Sequence, residues 1–226
     1  MEVRPFPFIS LLPLKQLLFD SNRNQLMFAE SLEELPEDLS SNWRIVFCPA
    51  GKRCLVVASQ ARTRAYSKTG VLLRTFASLL PGGSPLSQGN CRTDFSILDC
   101  VFEEMTMTFH VLDVMCWRSH PFYDCEADFR FFWLGVRLQE ERANESGPGN
   151  SFAFKQVKVL PAAPEVVRQI LEGRELAGYP LDGLVLHFSQ SHYEAGLTPL
   201  CLWIPRDSIE KALRPLAEEG TESMCS

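Results

Sequence analysis

The chain has 226 residues, 46% of them hydrophobic and 22% charged, which suits one globular domain, or two small ones, with a sizeable core. No apolar run approaches the ~20 residues of a membrane span, and the apolar N-terminus is broken by Pro5, Pro7, Pro13 and Lys15 with no small-residue cleavage site, so it does not read as a signal peptide. A net charge of −6 argues by itself against a nucleic-acid partner, yet Leu39 to Thr93 contains no Asp or Glu and carries Arg44, Lys52, Arg53, Arg62, Arg64, Lys68, Arg74 and Arg92. Such a segment is either a basic face aimed at an anion or a solvated sheet face balanced by acidic loops elsewhere.

In chain order, residues 1–23 show no period. Residues 24–35, with Leu26, Met27, Leu32 and Leu35 at helical spacing before Pro36, predict a helix. Strands follow at 43–48, 53–58, 63–67 and 70–76, the last after the turn Lys68-Thr69-Gly70. A Gly-, Pro- and Ser-rich loop (79–94) separates these from strands at 95–102 and 108–115, in a spacing that predicts antiparallel meanders. A helix is expected over 126–142, with Phe129, Phe132, Trp133 and Val136 on one face, then a loop (143–150), a strand (152–161) and a helix from Pro164 to Glu175. Strands at 181–188 and 198–205 precede a last helix at 206–220, for which Asp207 is a cap candidate. No internal repeat and no long linker is visible, so the pattern reads as one α+β domain.

Eight cysteines are scattered through apolar runs, which favours buried free thiols over a disulfide framework. Asn144-Glu-Ser fits the glycosylation pattern, which is common by chance. The stretch "CPAGKR" (48–53) invites two catalytic readings, and each falls short. Cys48 to Arg53 is one residue too short for the Cys-x5-Arg phosphate cradle of a cysteine phosphatase, and strand-like sequence follows where a helix should begin. It lacks the earlier Gly and the Ser/Thr of a P-loop. Cys116, His120 and Cys125 offer soft metal ligands, but without a paired CxxC or a fourth ligand.

The C-terminal third is more specific. "DGLVLHF" (182–188) and "TPLCLWIP" (198–205) resemble the last nucleotide-binding motifs of the mRNA capping enzyme and DNA ligase superfamily, which opens with Lys-x-Asp-Gly-x-Arg at a strand–turn–strand. In that superfamily the lysine attacks the α-phosphate and holds the nucleotide covalently. Laid on "CPAGKR", the motif keeps Gly51 and Arg53, while Cys48 stands at the lysine and Ala50 at the aspartate. The last motif keeps Trp203 between Leu202 and Ile204 and has lost both flanking lysines. The resemblance thus implies a nucleotidyltransferase-like α+β fold, antiparallel sheets with flanking helices, without catalysis.

"CPAGKRCLVVAS", "AYSKTG", "SLLPGG", "ILDCVFEE", "VLDVMCWRSHPFYDCEADFRFFW" and "SHYEAGLTPLCLW" are similar to the snurportin family, import adaptors that bind the trimethylguanosine cap of spliceosomal small nuclear RNAs. The similarity runs from about Asn24 to Pro205. It implies a cap-binding domain over 24–206, preceded by a divergent segment (1–23) and followed by a C-terminal helix and tail (207–226). It implies no enzyme activity, no cofactor and no metal. Trp203 would stack on the methylated guanine, whose 7-methyl charge adds a cation–π term. Lys52, Arg53 and Cys54 on the strand turn, and Lys68, fall on contact positions, with two or more cations beside a triphosphate bridge. Phe28 would close the stack.

Two departures stand out. The family pattern "LMLSEWL" is "LMFAESL" here, so a cap-contacting serine is Ala29, and the tryptophan that walls the two extra methyls is Ser31. Trp43 and Trp117 fall on other strands and are poor substitutes for that wall, which leaves the N-terminal segment as an alternative source of a replacement. The family's Arg-rich importin-β-binding segment has no counterpart in residues 1–23, which hold three basic residues (Arg4, Lys15, Arg23) and argue against direct importin-β binding. The remaining implied partners are capped U snRNA and an exportin, with no membrane, a monomeric state and shuttling between cytoplasm and nucleus. The rival readings are a residual nucleotidyltransferase or cap-processing enzyme on the same fold, and a cap-blind scaffold.

Overall fold

The computed structural model describes residues 24–222; the expectations for residues 1–23 and for the extreme C-terminus lie outside the described residues. Twelve strands are assigned, in two sheets. A five-stranded sheet has the order β1-β12-β11-β2-β10, formed by Met27–Ser31 (β1), Gly196–Pro205 (β12), Leu181–Phe188 (β11), Trp43–Pro49 (β2) and Val159–Pro161 (β10). A seven-stranded sheet has the order β5-β4-β3-β6-β7-β8, with β9 also beside β7. Its strands are Leu72–Phe76 (β5), Arg62–Ser67 (β4), Lys52–Ser59 (β3), Phe95–Glu103 (β6), Thr108–Trp117 (β7), His120–Pro121 (β8) and Ala153–Gln156 (β9). The helices are α1 (Leu39–Asn42), α2 (Ala127–Glu140), α3 (Pro164–Leu171) and α4 (Ile209–Glu222), the last entered through a 3-10 turn at Arg206–Ser208.

Strand alternation builds the layers. Along β2, Ile45 and Phe47 join the cluster under α3 and α4, with Val167 and Leu213, while Val46 and Cys48 face the inter-sheet side. Along β3, Cys54, Val56 and Ala58 enter one cluster, and Leu55 and Val57 enter another with Leu26, Met27, Tyr193 and Cys201. Strands β6 and β7 are buried at every residue, because the sheet they centre is covered on both faces.

The structure corrects four expectations. Residues 24–35 are not a helix: Met27–Ser31 forms β1, parallel to β12 with a register shift between Ala29 and Glu30, so tertiary pairing overrides the local 3.6-residue pattern. The strand expected over 152–161 is two strands. β9 pairs in parallel with β7 and β10 antiparallel with β2, with Val157 and Lys158 crossing between the sheets. The meander is therefore interrupted by two parallel pairings. In α2 the face bearing Phe129, Phe132 and Val136 is turned outward; the buried face is Ala127, Arg130, Phe131, Leu134 and Leu138. Arg130 can be fully buried because its Nε and Nη2 donate to both carboxylate oxygens of Asp113 on β7, at 2.9 and 2.8 Å.

Candidate functional site

Between the sheets, where β2 turns into β3, opens a cleft of about 250 Å³ lined by Phe28, Ala29, Cys48, Pro49, Gly51, Arg53, Val101, Leu112, Asp182, Val185 and Trp203. Trp203 lies on β12 between Ser31 on β1 and Val185 on β11, and its ring is half-buried. The indole passes over Gly183: a Cβ there would stand 2.6 and 2.8 Å from two of its ring carbons. The glycine of the Asp182-Gly183 pair thus leaves the space that the edge of the indole occupies. Gly51 serves the opposite wall, where a Cβ would meet the Phe102 carbonyl at 2.5 Å.

Phe28 enters the cleft from β1, and the Arg53 guanidinium sits 5.0 Å from its ring centroid. Arg53 is not a free cation. Its Nε and Nη2 donate to the two oxygens of Asp99 at 3.1 and 2.7 Å, and Nη2 also donates to the Met27 carbonyl. Asp99 is 1% exposed and accepts the Tyr193 hydroxyl at 2.8 Å; that hydroxyl accepts the Met27 N–H at 3.1 Å. Burial works against the Arg53 charge, and the Asp99 carboxylate more than offsets it, so Arg53 stays firmly protonated. The network ties β3, β6, β1 and the loop before β12 together at the base of the cleft. Burial raises the Tyr193 hydroxyl well above the usual phenol range, with the Asp99 charge adding to the shift.

Cys48 occupies the position facing Gly183 across β2 and β11. Burial pushes its thiol up to about 12, against a smaller opposing effect of Arg53. The thiol is therefore protonated at neutral pH and lines the cleft beside Gly183. Among the described residues the seven cysteines are free thiols, and no group of three His, Cys, Asp or Glu side chains is placed to hold a metal ion.

The structure brings together Trp203, Phe28, Ala29 and Arg53. It does not bring Lys52, Cys54, Lys68 or Ser31 into the cleft lining. Lys52 and Cys54 are out of phase with Arg53 on β3: Lys52 is exposed, and Cys54 is fully buried in the cluster with Val56 and Cys100, so its thiol has no path to a ligand. Lys68 is exposed in the turn after β4, where its carbonyl accepts the Asn24 N–H at 3.3 Å. Ser31 is exposed beside Trp203 in the β1–β12 pair. Trp43 and Trp117 are buried in core clusters and cannot supply a wall in place of Ser31. Asp99 and Tyr193 were missed, although a lone carboxylate inside the apolar run "FSILDCVF" was a readable sign of a buried cationic partner.

The family model described as "Snurportin1, m3G cap-binding domain" matches residues 25–205. The chain belongs to this family. Solved structures of nucleotidyltransferase type share the fold. One described as "Pmar-Lig_Pre." matches at a TM-score of 0.58 and 12% identity, over 80% of this chain and 46% of its own. The ligase domain from M. tuberculosis LigD matches at 0.52 and 16%, over 80% and 60%. The chain spans roughly half the length of these structures, and at such identity the likeness is one of fold. The domain is a snurportin-type cap-binding domain on a DNA-ligase-like α+β fold.

Proposed function

We propose that this domain binds the 5′ 2,2,7-trimethylguanosine cap of spliceosomal small nuclear RNAs, as the cargo-reading part of a nuclear-import adaptor. The observation that carries the reading is the half-buried Trp203 ring over Gly183 in a cleft that Phe28 also lines. A methylated, cationic guanine is held on the Trp203 ring through dispersion and cation–π attraction, with Phe28 as a further apolar contact in the same cleft. Asp182 at the mouth adds negative charge beside that cationic ring. Lys68 and Lys52, exposed and without an ion-pair partner among the described residues, serve the triphosphate from the rim. Arg53 shapes the cleft, with its charge committed to Asp99. Residues 24–206 carry the cap-binding site, and the following helix packs its Leu213 into the same core. The chain acts as a monomer that an exportin returns to the cytoplasm. The direct test is a titration of Trp fluorescence with trimethylated, monomethylated and unmethylated cap dinucleotides; equal affinity for all three would refute the reading.

Two results should accompany it. Incubation with radiolabelled GTP and magnesium leaves no denaturation-resistant band, since the Cys48 thiol stays protonated and Ala50 replaces the neighbouring aspartate. A labelled band would restore the enzyme reading. Selectivity for the trimethyl over the monomethyl cap is the second. A buried methyl is worth about 0.8 kcal/mol, so a wall for two methyls supplies roughly a factor of ten. Ser31 cannot cover them. Ser31→Trp, beside Trp203 in register, therefore raises the trimethyl preference several-fold and leaves monomethyl affinity nearly unchanged. A wild-type preference already above about tenfold would mean that another group forms the wall.

A further inference from the structure

The acid-free segment carries more cations than the cleft uses. Of its eight, Arg44 is paired with Asp128, Arg53 is paired with Asp99, and the Arg74 guanidinium lies over the rings of Phe102 and Phe152. Three of the others, Arg62, Arg64 and Lys68, stand in one short stretch, "RTRAYSK", and none of the three has an ion-pair partner among the described residues.

Register places them. On β4, Tyr66 faces Leu55, Arg64 faces Val57 and Arg62 faces Ser59 of β3. Directly opposed residues share a sheet face, and Arg53 lies two residues before Leu55 on that same face. The strip therefore begins beside the cleft wall. Starting from the cleft, it runs through Lys68 in the turn, then Tyr66, Arg64 and Arg62, at steps of about 7 Å and over about 20 Å in all. Arg62 is exposed and Arg64 half-buried; Tyr66 packs one side of its ring against the cluster of Leu55, Val57 and Tyr193 and keeps the rest in water. A row of unpaired cations interleaved with an aromatic ring is the surface that a single-stranded nucleic acid takes, phosphates on the cations and a base on the ring.

We propose that Arg62, Arg64 and Tyr66 form a second binding site, a track for the sugar–phosphate backbone and a base of the first few nucleotides that follow the cap. The direction of the track, outward from the cleft, rests on the cap-binding reading; the track itself does not. The domain then measures capped RNA and not the cap alone.

The test compares three probes on the full chain: trimethylguanosine cap dinucleotide, a capped RNA decamer and the same decamer uncapped. The capped decamer binds at least about 5-fold tighter than the dinucleotide at low salt. In Arg62→Ala/Arg64→Ala that advantage disappears and dinucleotide affinity is unchanged. The slope of log K against log salt for the decamer falls by about 1.4, at ~0.7 per single-strand phosphate contact. Arg62→Lys/Arg64→Lys keeps the slope, and Tyr66→Leu lowers the decamer affinity without changing it. Equal affinities and slopes for dinucleotide and capped decamer overturn the track and leave the cap site standing. If the dinucleotide does not bind while the uncapped decamer still loses affinity in the double alanine variant, the track stands and the cap reading falls. Poly-glutamate or phosphatidylserine vesicles that compete as well as RNA would assign the strip to an acidic protein or a membrane and overturn the proposal.

Discussion

Arg53→Ala lowers the stability of the domain more than it lowers affinity for the cap. Removing one partner of a buried ion pair typically costs about 3–5 kcal/mol, because the other charge is left uncompensated. Arg53 keeps 32% of its side-chain surface in water while Asp99 keeps 1%, so water can partly replace the guanidinium, and the lower end, about 3 kcal/mol, applies. In a domain of this size that is a fall in Tm of about 6–12 °C. The cost arises at Asp99, which would keep the Tyr193 hydroxyl as its remaining donor. Asp99→Asn in the Arg53→Ala background removes the stranded charge and should recover part of the loss, a sign that a free phosphate-binding arginine would not give. Thermal melts of the wild type, both single variants and the double variant decide the matter. A single Arg53→Ala variant with unchanged Tm and a salt-dependent loss of cap affinity would show Arg53 to be a ligand cation instead.

This pair also marks where the sequence stops being legible. The strands of the two sheets follow from runs such as "RIVFC" and "CLVVAS", whose continuous apolar, β-branched character is local and suits strands buried on both faces. β1 does not: its identity depends on pairing with Gly196–Trp203, about 170 residues away, and nothing within 24–35 encodes that partner. The same holds at the site. Trp203 and Gly183 are readable because a large ring on one strand needs an absent Cβ on the next, and both sit in one short C-terminal stretch. Arg53 is readable as a cation but not as a committed one, since Asp99 lies 46 residues further on. Lys52 and Cys54 show the opposite limit. A motif names neighbours along the chain, and a strand sends neighbours to opposite faces, so a three-residue block cannot all reach one cleft through its side chains.

Trp203→Ala weakens cap binding by about 1–3 kcal/mol, the worth of one base stacked on an aromatic ring, or roughly 5- to 150-fold. The alternative role for a tryptophan on a buried sheet is packing, and the two roles separate by magnitude. A core Trp→Ala costs about 3–5 kcal/mol of stability, whereas the Trp203 ring is half-buried and rests on a glycine, with open cleft beside it. Its loss should therefore leave Tm within a few degrees of wild type. Trp203→Phe should hold part of the affinity, because a smaller ring still presents a face to the cationic guanine. Gly183→Ala reaches the same endpoint from the other strand. Its Cβ would stand 2.3 Å from the Ile204 carbonyl oxygen as well as against the indole, so it must push the ring out of its bed. It should cost affinity like Trp203→Ala and stability in addition. Titration with the trimethylated dinucleotide alongside a melt of each variant reads both quantities. A Trp203→Ala protein that melts far below wild type yet binds the cap with unchanged affinity would place the ring in the core and move the cap elsewhere.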